Sequence, residues 1–184
     1  MALLPPAQAP GALFSAAATF TSLVLPDGAV HIWSAPLDLP SELMPHFESL
    51  LSPGEIARAD RFVFEKTRRH FIAGRGLLRS ILSWYAGRQA GELEFEYGPY
   101  GKPALAESCE GAWLRFNVSH SRDRALYALA RGREVGVDVE YMRTDLEYEG
   151  IAKRFFSPRE SAVLRALPKS QRCEAFFNCW TRKE

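Results

Sequence analysis

Val135-Gly136-Val137-Asp138-Val139-Glu140 is an apolar, β-branched run that carries two carboxylates two positions apart. In a β-strand, residues i and i+2 point to the same face, so Asp138 and Glu140 would stand side by side. The three valines would then share the opposite face, which suits a packed core. The sequence therefore predicts a strand that aims two acidic side chains at one point.

Two carboxylates at this spacing repel each other unless a cation or a proton lies between them. Mg²⁺ takes carboxylate oxygens and keeps coordination positions for substrate phosphates, which makes the pair a candidate magnesium site. The alternative is a half-exposed strand with two solvated acids. These six residues alone do not decide between the two interpretations.

The composition is that of an ordinary globular protein. The chain has 184 residues, 47% of them hydrophobic and 24% charged, which is enough for one domain or for one domain and part of another. A net charge of +1 argues against a nucleic-acid partner, and no apolar run reaches membrane-spanning length. Three cysteines without metal-ligand spacing predict reduced thiols in the cytoplasm.

Local patterns predict alternating strands and helices. Ser52-Pro53-Gly54-Glu55 is typical of a helix start with a capping box, and a longer helix is predicted from Lys66 to Tyr85 with Gly87 as its stop. Residues 98–103 are predicted as a loop. Strands are predicted at 29–33, 94–97, 114–118, 125–130 and 135–140, the last two joined by a turn around residues 131–133.

An internal sequence repeat predicts a duplicated unit. Ser157-Pro158-Arg159-Glu160 repeats the first capping box 105 positions after Ser52, and Phe176-Phe177 lies at the same offset from Phe71-Ile72. We therefore predict an Ala/Pro-rich, loose leader at 1–28, a first subdomain at 29–145 and the start of a second, incomplete subdomain at 146–184.

Several polar segments are candidate binding residues, each with a plainer alternative. Arg75 follows a mid-helix glycine that would let a phosphate approach, but it is equally explained as a surface arginine beside a helix-packing contact. Lys102 is a phosphate ligand or a solvated lysine. Asn117-Val118-Ser119-His120-Ser121 is a phosphate-binding strand end or a turn that satisfies its own backbone. Residues 176–184 predict an amphipathic helix. Lys183 and Glu184 are either solvated at the end of this helix, or Glu184 adds a third carboxylate to the pair Asp138 and Glu140.

Taken in order, these segments resemble the motifs of 4′-phosphopantetheinyl transferases of the Sfp type. The similarity covers residues from about 30 to the end, and six motifs follow the family's order and approximate spacing. The motifs are Gly74-Arg75, Tyr100-Gly101-Lys102-Pro103, Asn117–Ser121, Val135–Glu140, Phe155–Glu160 and Trp180-Thr181-Arg182-Lys183-Glu184.

The resemblance implies an α+β fold of pseudo-duplicated units, each with an antiparallel sheet and a long helix, the second unit being truncated here. It implies transfer of the 4′-phosphopantetheine moiety of coenzyme A to a serine of an apo acyl or peptidyl carrier protein, with release of 3′,5′-ADP. The expected full-length protein is a cytoplasmic monomer. The alternative is a non-catalytic coenzyme A-binding or protein-interaction fragment, in which an exposed aromatic helix at 176–184 docks another chain.

The resemblance also assigns roles. Asp138, Glu140 and Glu184 would ligate Mg²⁺, for which Mn²⁺ is a chemical substitute, and His120 and Lys183 would lie near the phosphates. The carrier serine would lose its proton to Glu184 or to a metal-bound water. The family motif continues to a further lysine four residues after Glu184, so we expect this chain to be a shortened form. The expected coenzyme A contacts are Arg75, Tyr100, Gly101, Lys102, Pro103, Asn117, Ser119 and His120.

Overall fold

The computed structural model describes residues 23–99, 101–109, 111–143 and 145–183. These residues divide into two compact units. The first contains the chain up to Ser119 together with Asp123–Val137, and the second contains His120–Arg122 together with the chain from Asp138. The boundary falls earlier than the predicted division at 145/146.

The first unit is built on a three-stranded sheet. Its strands are β1 (Val30–Pro36), β4 (Leu114–Ser121) and β5 (Arg124–Arg131), in the order β1-β5-β4. β1 and β5 are antiparallel, with Val30 opposite Ala130 and Pro36 opposite Arg124. A separate antiparallel pair is formed by β2 (Phe95–Tyr97) and β3 (Pro103–Leu105).

A 22-residue helix, α3 (Glu65–Ala86), carries the apolar face that fills the core of this unit. It ends at Gly87, whose φ of 65° is the left-handed conformation that glycine adopts most readily. The Tyr127 hydroxyl of β5 donates to the Gly74 carbonyl of α3 at 3.0 Å, and burial raises the pKa of that hydroxyl. The predicted long helix and its stop are confirmed. Its buried residues include Ile72, Leu77, Leu78, Ile81, Leu82 and Tyr85.

Two short helices precede α3 and pack against it: α1 (Met44–Ser49) and α2 (Pro53–Ala59). The predicted capping box at the start of α2 is confirmed, since Ser52 Oγ accepts from the Glu55 amide and Glu55 accepts from the Ser52 amide. Helix α1 and the single-turn helices Ser41–Leu43 and Ala90–Glu92 have no counterpart in the prediction.

The predicted strand at 135–140 is wrong. Both edges of β5 are occupied, by β1 and β4, so the segment that follows β5 cannot pair with it. The chain from Glu134 to Glu140 has no strand assignment. Its Val137 amide donates instead to the side-chain Oδ1 of Asn117 at 2.8 Å. A hydrogen bond to a side chain thus takes the place of the backbone hydrogen bonds of a strand, which the alternating pattern predicts.

Other boundaries also differ from the prediction. β4 continues to Ser121, so the polar run from Asn117 lies within the strand rather than after it. β3 begins at Pro103, inside the predicted loop, where proline is tolerated because it is the first residue of an edge strand. Residues 1–22 of the predicted leader lie outside the described residues, but Leu25 is only 2% exposed and belongs to the core.

The second unit is helical. It contains α4 (Tyr148–Phe155), α5 (Pro158–Ala166) and α6 (Lys169–Trp180), which contact one another pairwise. The second predicted capping box, Ser157 with Glu160, is confirmed at the start of α5. α4 was not predicted. The mixture of helices and antiparallel strands confirms the predicted α+β class.

The predicted helix at 176–184 is correct only in part, because α6 starts at Lys169 and ends at Trp180. Its two phenylalanines are not an exposed docking face. Phe176 and Phe177 are buried in the core of this unit with Ala152, Phe156 and Leu164, and the Phe176 ring stacks on Phe156.

Candidate active site

In the first unit, the polar run of β4 makes a hydrogen bond to the chain at Val137. Asn117 accepts the Val137 amide, and this bond fixes the backbone one residue before Asp138. Ser119, two residues further along β4, is half-buried. The residue before Asp138 is therefore joined to β4 through a side chain rather than through a strand ladder.

Lys102 lines a cavity of about 280 Å³ between the two sheets of the first unit. Its ammonium donates to Glu134 Oε2 at 2.8 Å and lies 3.4 Å from the Val135 carbonyl. This hydrogen bond holds the pKa of the Glu134 carboxyl below its ordinary value. Gly101 has a φ of 76°, which glycine permits. The other lining residues are Gly98, Pro99, Pro103, Ala104, Leu114, Arg115 and Phe116.

Arg75 is held inside the first unit. Its side chain is 11% exposed, and its Nε lies 3.3 Å from Oε1 of the buried Glu55. Glu55 is shared with Arg79, whose Nε donates to Oε2 at 2.8 Å. The Arg75 guanidinium also lies within 6 Å of the ring centroids of Phe71, Phe95 and Tyr97. In the structure Arg75 is therefore a largely buried side chain that contacts an acid and three aromatic rings.

In the second unit, Glu140 is oriented by the hairpin that joins β4 to β5. Ser121 Oγ donates to Glu140 Oε2 at 3.1 Å and accepts the Tyr141 amide at 3.0 Å. Glu140 itself is exposed, whereas Oδ2 of Asp138 is a buried atom. One acid of the pair therefore points inward and the other is held at the surface by a hydroxyl group.

The chemistry of this acidic pair fits a hard divalent cation in part. Carboxylate oxygens are the ligands that Mg²⁺ prefers, and both members of this pair carry them. The predicted third ligand, Glu184, lies outside the described residues, as does Tyr100. Among the residues that the structure describes, no group of three His, Cys, Asp or Glu side chains is placed to hold a metal.

The remaining predicted residues are in the second unit. His120 is exposed on β4. Lys183 lies beyond the end of α6, and its Nζ is 2.9 Å from Glu160 Oε2. Hydrogen bonds from the Ser157 amide, from Lys183 and from the Ser157 hydroxyl lower the pKa of Glu160 to about 2. In this structure Lys183 is thus an ion-pair partner of the second capping box.

Sequence reasoning missed three side-chain contacts around the candidate residues. Glu134 and its bond to Lys102, Glu55 and its bonds to two arginines, and Ser121 with its bond to Glu140 all join residues at least 19 positions apart. Of these residues, only Ser121 could have been found from a local pattern, because it is the last residue with a hydroxyl group in the polar run of β4.

Comparison with known proteins gives two family matches that together cover most of the chain. Residues 40–131 match a family described as "4′-phosphopantetheinyl transferase, N-terminal". Residues 134–184 match one described as "4′-phosphopantetheinyl transferase superfamily".

Curated relatives agree with these matches. The 4′-phosphopantetheinyl transferase HetI of Nostoc sp. is 45% identical over 163 residues, which cover 89% of this chain and 69% of that protein. The Sfp protein of Bacillus subtilis is 30% identical over 79% of this chain and 62% of its own length. The AcpT protein of Escherichia coli is 38% identical over 64% of this chain and 55% of its own length.

The chain thus spans between about half and about two thirds of the length of these relatives. None of the helices in the described part of the chain is long and apolar enough to cross a membrane. Both family matches and the relative at 45% identity are described as 4′-phosphopantetheinyl transferases. They confirm the resemblance that the motifs indicate. This chain belongs to the 4′-phosphopantetheinyl transferase superfamily.

Proposed function

We propose that the protein transfers the 4′-phosphopantetheine moiety of coenzyme A to a serine of an apo acyl or peptidyl carrier protein. The serine oxygen forms a bond to the phosphorus that bears pantetheine, the bond from that phosphorus to the 5′-phosphate of the nucleotide breaks, and the serine proton is lost. 3′,5′-ADP is the leaving group. The observation that carries this proposal is the acidic pair Asp138 and Glu140 in a chain whose relatives are named as transferases of this group.

Asp138 and Glu140 would hold a divalent cation, together with Glu184. Mg²⁺ is the proposed ion, and Mn²⁺ suits the same oxygen ligands. When bound, the cation would neutralise charge on the pyrophosphate oxygens, which is the main electrostatic demand of phosphoryl transfer. The inward position of the Asp138 oxygen and the hydroxyl bond to Glu140 support a site whose ligands are held before the substrate arrives.

The first unit would bind the nucleotide end of coenzyme A. Lys102 offers an ammonium at the wall of the cavity of about 280 Å³, and Gly101 and Pro103 shape the chain on either side of it. The proposed further contacts are Tyr100, Asn117, Ser119 and His120, with Lys183 near the phosphates. Arg75 is proposed with them, although its bond to Glu55 would have to rearrange for a direct contact.

The partners and compartment follow from this function. The proposed partners are an apo carrier protein and coenzyme A, with no nucleic acid or membrane, and the full-length protein is proposed to be a monomer. The three cysteines, Cys109, Cys173 and Cys179, are all free thiols, which supports the proposed cytoplasmic location.

A transfer assay with matched variants tests the proposal. Asp138→Asn and Glu140→Gln keep side-chain size but remove the charge that a cation needs, so each should lower the release of 3′,5′-ADP at least a hundredfold. Asp145→Asn is the control, because Asp145 is an exposed acid in the same unit that pairs with Arg143 at 3.3 Å. Equal rates for Asp138→Asn and the wild type would refute the proposed role of the acidic pair.

A further inference from the structure

The tip of the β4–β5 hairpin makes two bonds to the acidic segment through one hydroxyl group. Ser121 Oγ donates to Glu140 Oε2 at 3.1 Å and accepts the Tyr141 amide at 3.0 Å. A hydroxyl group has one donor and two acceptor sites, so both bonds can form at once. The carboxylate of residue 140 and the backbone of residue 141 are therefore fixed by the same atom.

The position of that hydroxyl group is itself constrained by the neighbouring turn residue. Arg122 has a φ of 52°, and it is the one non-glycine residue with positive φ in the part of the chain that the structure describes. Left-handed backbone is unfavourable for an L-residue, so the turn needs a compensating contact. The Arg122 guanidinium lies 3.3 Å from the centroid of the Tyr141 ring, which provides one.

This arrangement matters because Glu140 is exposed. A free glutamate side chain samples many rotamers, and ordering it costs conformational entropy. This entropy loss weakens cation binding unless another group has already oriented the carboxylate. Hydrogen-bond donors to metal-ligating carboxylates have this orienting effect in metal sites generally.

We propose that Ser121 is a positioning residue that orients the Glu140 carboxylate for cation binding. The inference rests on the proposed function only in taking Glu140 as a cation ligand. Ser121 acts through Glu140 and needs no contact of its own with the cation or with the substrate. Arg122 supports this role by holding the turn against Tyr141.

Direct titration with Mn²⁺, followed by the electron paramagnetic resonance signal of the free ion, tests this role without any transfer assay. Ser121→Ala should weaken Mn²⁺ binding about tenfold, which is the usual loss when such a donor is removed. Ser121→Thr keeps the hydroxyl group at a strand end where β-branched residues are favoured, and should bind within twofold of the wild type.

Ser108→Ala is the matched control. Ser108 Oγ donates to Glu94 Oε2 at 3.4 Å, so this variant removes an exposed serine–glutamate bond of the same kind from the first unit. It should bind Mn²⁺ like the wild type. Wild-type affinity in Ser121→Ala, equal losses in Ser121→Ala and Ser108→Ala, or no Mn²⁺ binding by the wild-type chain would each overturn the inference.

The Mg²⁺ dependence of transfer separates this inference from the proposed function. For Ser121→Ala, the Mg²⁺ concentration at half-maximal rate should rise about tenfold, and the rate at saturating Mg²⁺ should stay close to that of the wild type. A wild-type chain that transfers nothing, but whose Mn²⁺ binding is weakened by Ser121→Ala, would refute the function and leave the positioning role standing. Transfer by the wild-type chain, together with an unchanged Mg²⁺ dependence in Ser121→Ala, would support the function and refute the positioning role.

Discussion

Gly76 of α3 lies so close to Phe47 of α1 that no other residue fits there. A Cβ atom at position 76 would stand 2.7 Å from both the Cβ and the Cδ1 of Phe47, and 3.1 Å from its Cα. Phe47 is fully buried, so its ring has no free space into which it can move. The close approach of α1 to α3 therefore depends on this glycine.

We expect Gly76→Ala to destabilise the protein by about 1–2 kcal/mol, because the cost of overpacking exceeds the gain in helix propensity. Gly74→Ala is the matched control, since a Cβ there would meet its nearest neighbour, Leu37, at an ordinary 3.5 Å. It should be neutral or stabilise by up to about 1 kcal/mol. Urea unfolding of both variants measures the difference, and equal midpoints would contradict the packing argument.

Glu55 should be far more important for stability than its role as a capping residue suggests. Glu55→Gln keeps the capping box but leaves the guanidinium of Arg79, which is 1% exposed, without its carboxylate. Removing one partner of a buried ion pair costs about 3–5 kcal/mol. Glu160→Gln makes the same change in the exposed second capping box, so thermal unfolding should show a much smaller loss. Similar losses in both variants would refute the importance of the arginine pair.

Lys102→Ala should weaken the binding of 3′,5′-ADP by roughly 10- to 100-fold, since a hydrogen bond to a charged group contributes about 1.5–3 kcal/mol. Its bond to Glu134 is at the surface, so the variant should unfold like the wild type. Lys169→Ala removes the same charge from an exposed position outside the cavity lining and serves as the control. Isothermal titration calorimetry with 3′,5′-ADP measures both, and an unchanged Lys102→Ala affinity would exclude this cavity as the nucleotide site.

The low pKa of Glu160 predicts a specific acid sensitivity. The folded state lowers this pKa from 4.5 to about 2, chiefly through the Ser157 amide and then Lys183. The charged carboxylate therefore stabilises the folded state above pH 4.5, and this contribution is lost as the pH falls towards 2. The difference in Tm between the wild type and Glu160→Gln should shrink steadily over that interval. A difference that does not change with pH would contradict the assignment.

Local patterns predicted the elements whose stabilising contacts are local in sequence. Both capping boxes join residues three positions apart, and α3 carries its apolar periodicity over 22 residues to a glycine stop. β1, β2 and β4 also fall where β-branched or aromatic residues recur, whereas β5 has no β-branched residue. For the capping boxes and α3 the deciding interactions lie within a few positions along the chain, whereas β1 pairs with the distant β5, Val30 lying opposite Ala130.

The remaining features depend on distant partners. The alternation at 135–140 predicts a strand, but Asn117 takes the Val137 amide and β1 occupies the edge of β5 that the strand would need. No local pattern predicts that Arg75 pairs with Glu55, because Glu55 lies twenty positions earlier in the chain. The acidic pair itself is visible in the sequence because its two members lie only two positions apart.

The most direct test of the central claim is the intact mass of a purified apo carrier protein after incubation with this chain, coenzyme A and Mg²⁺. The account predicts a gain of one phosphopantetheine, which disappears when a chelator is added, when the carrier serine is replaced by alanine, or when Asp138→Asn replaces the wild-type chain. Unchanged carrier mass across apo acyl and peptidyl carrier proteins would contradict it, and so would a mass gain that Asp138→Asn leaves intact.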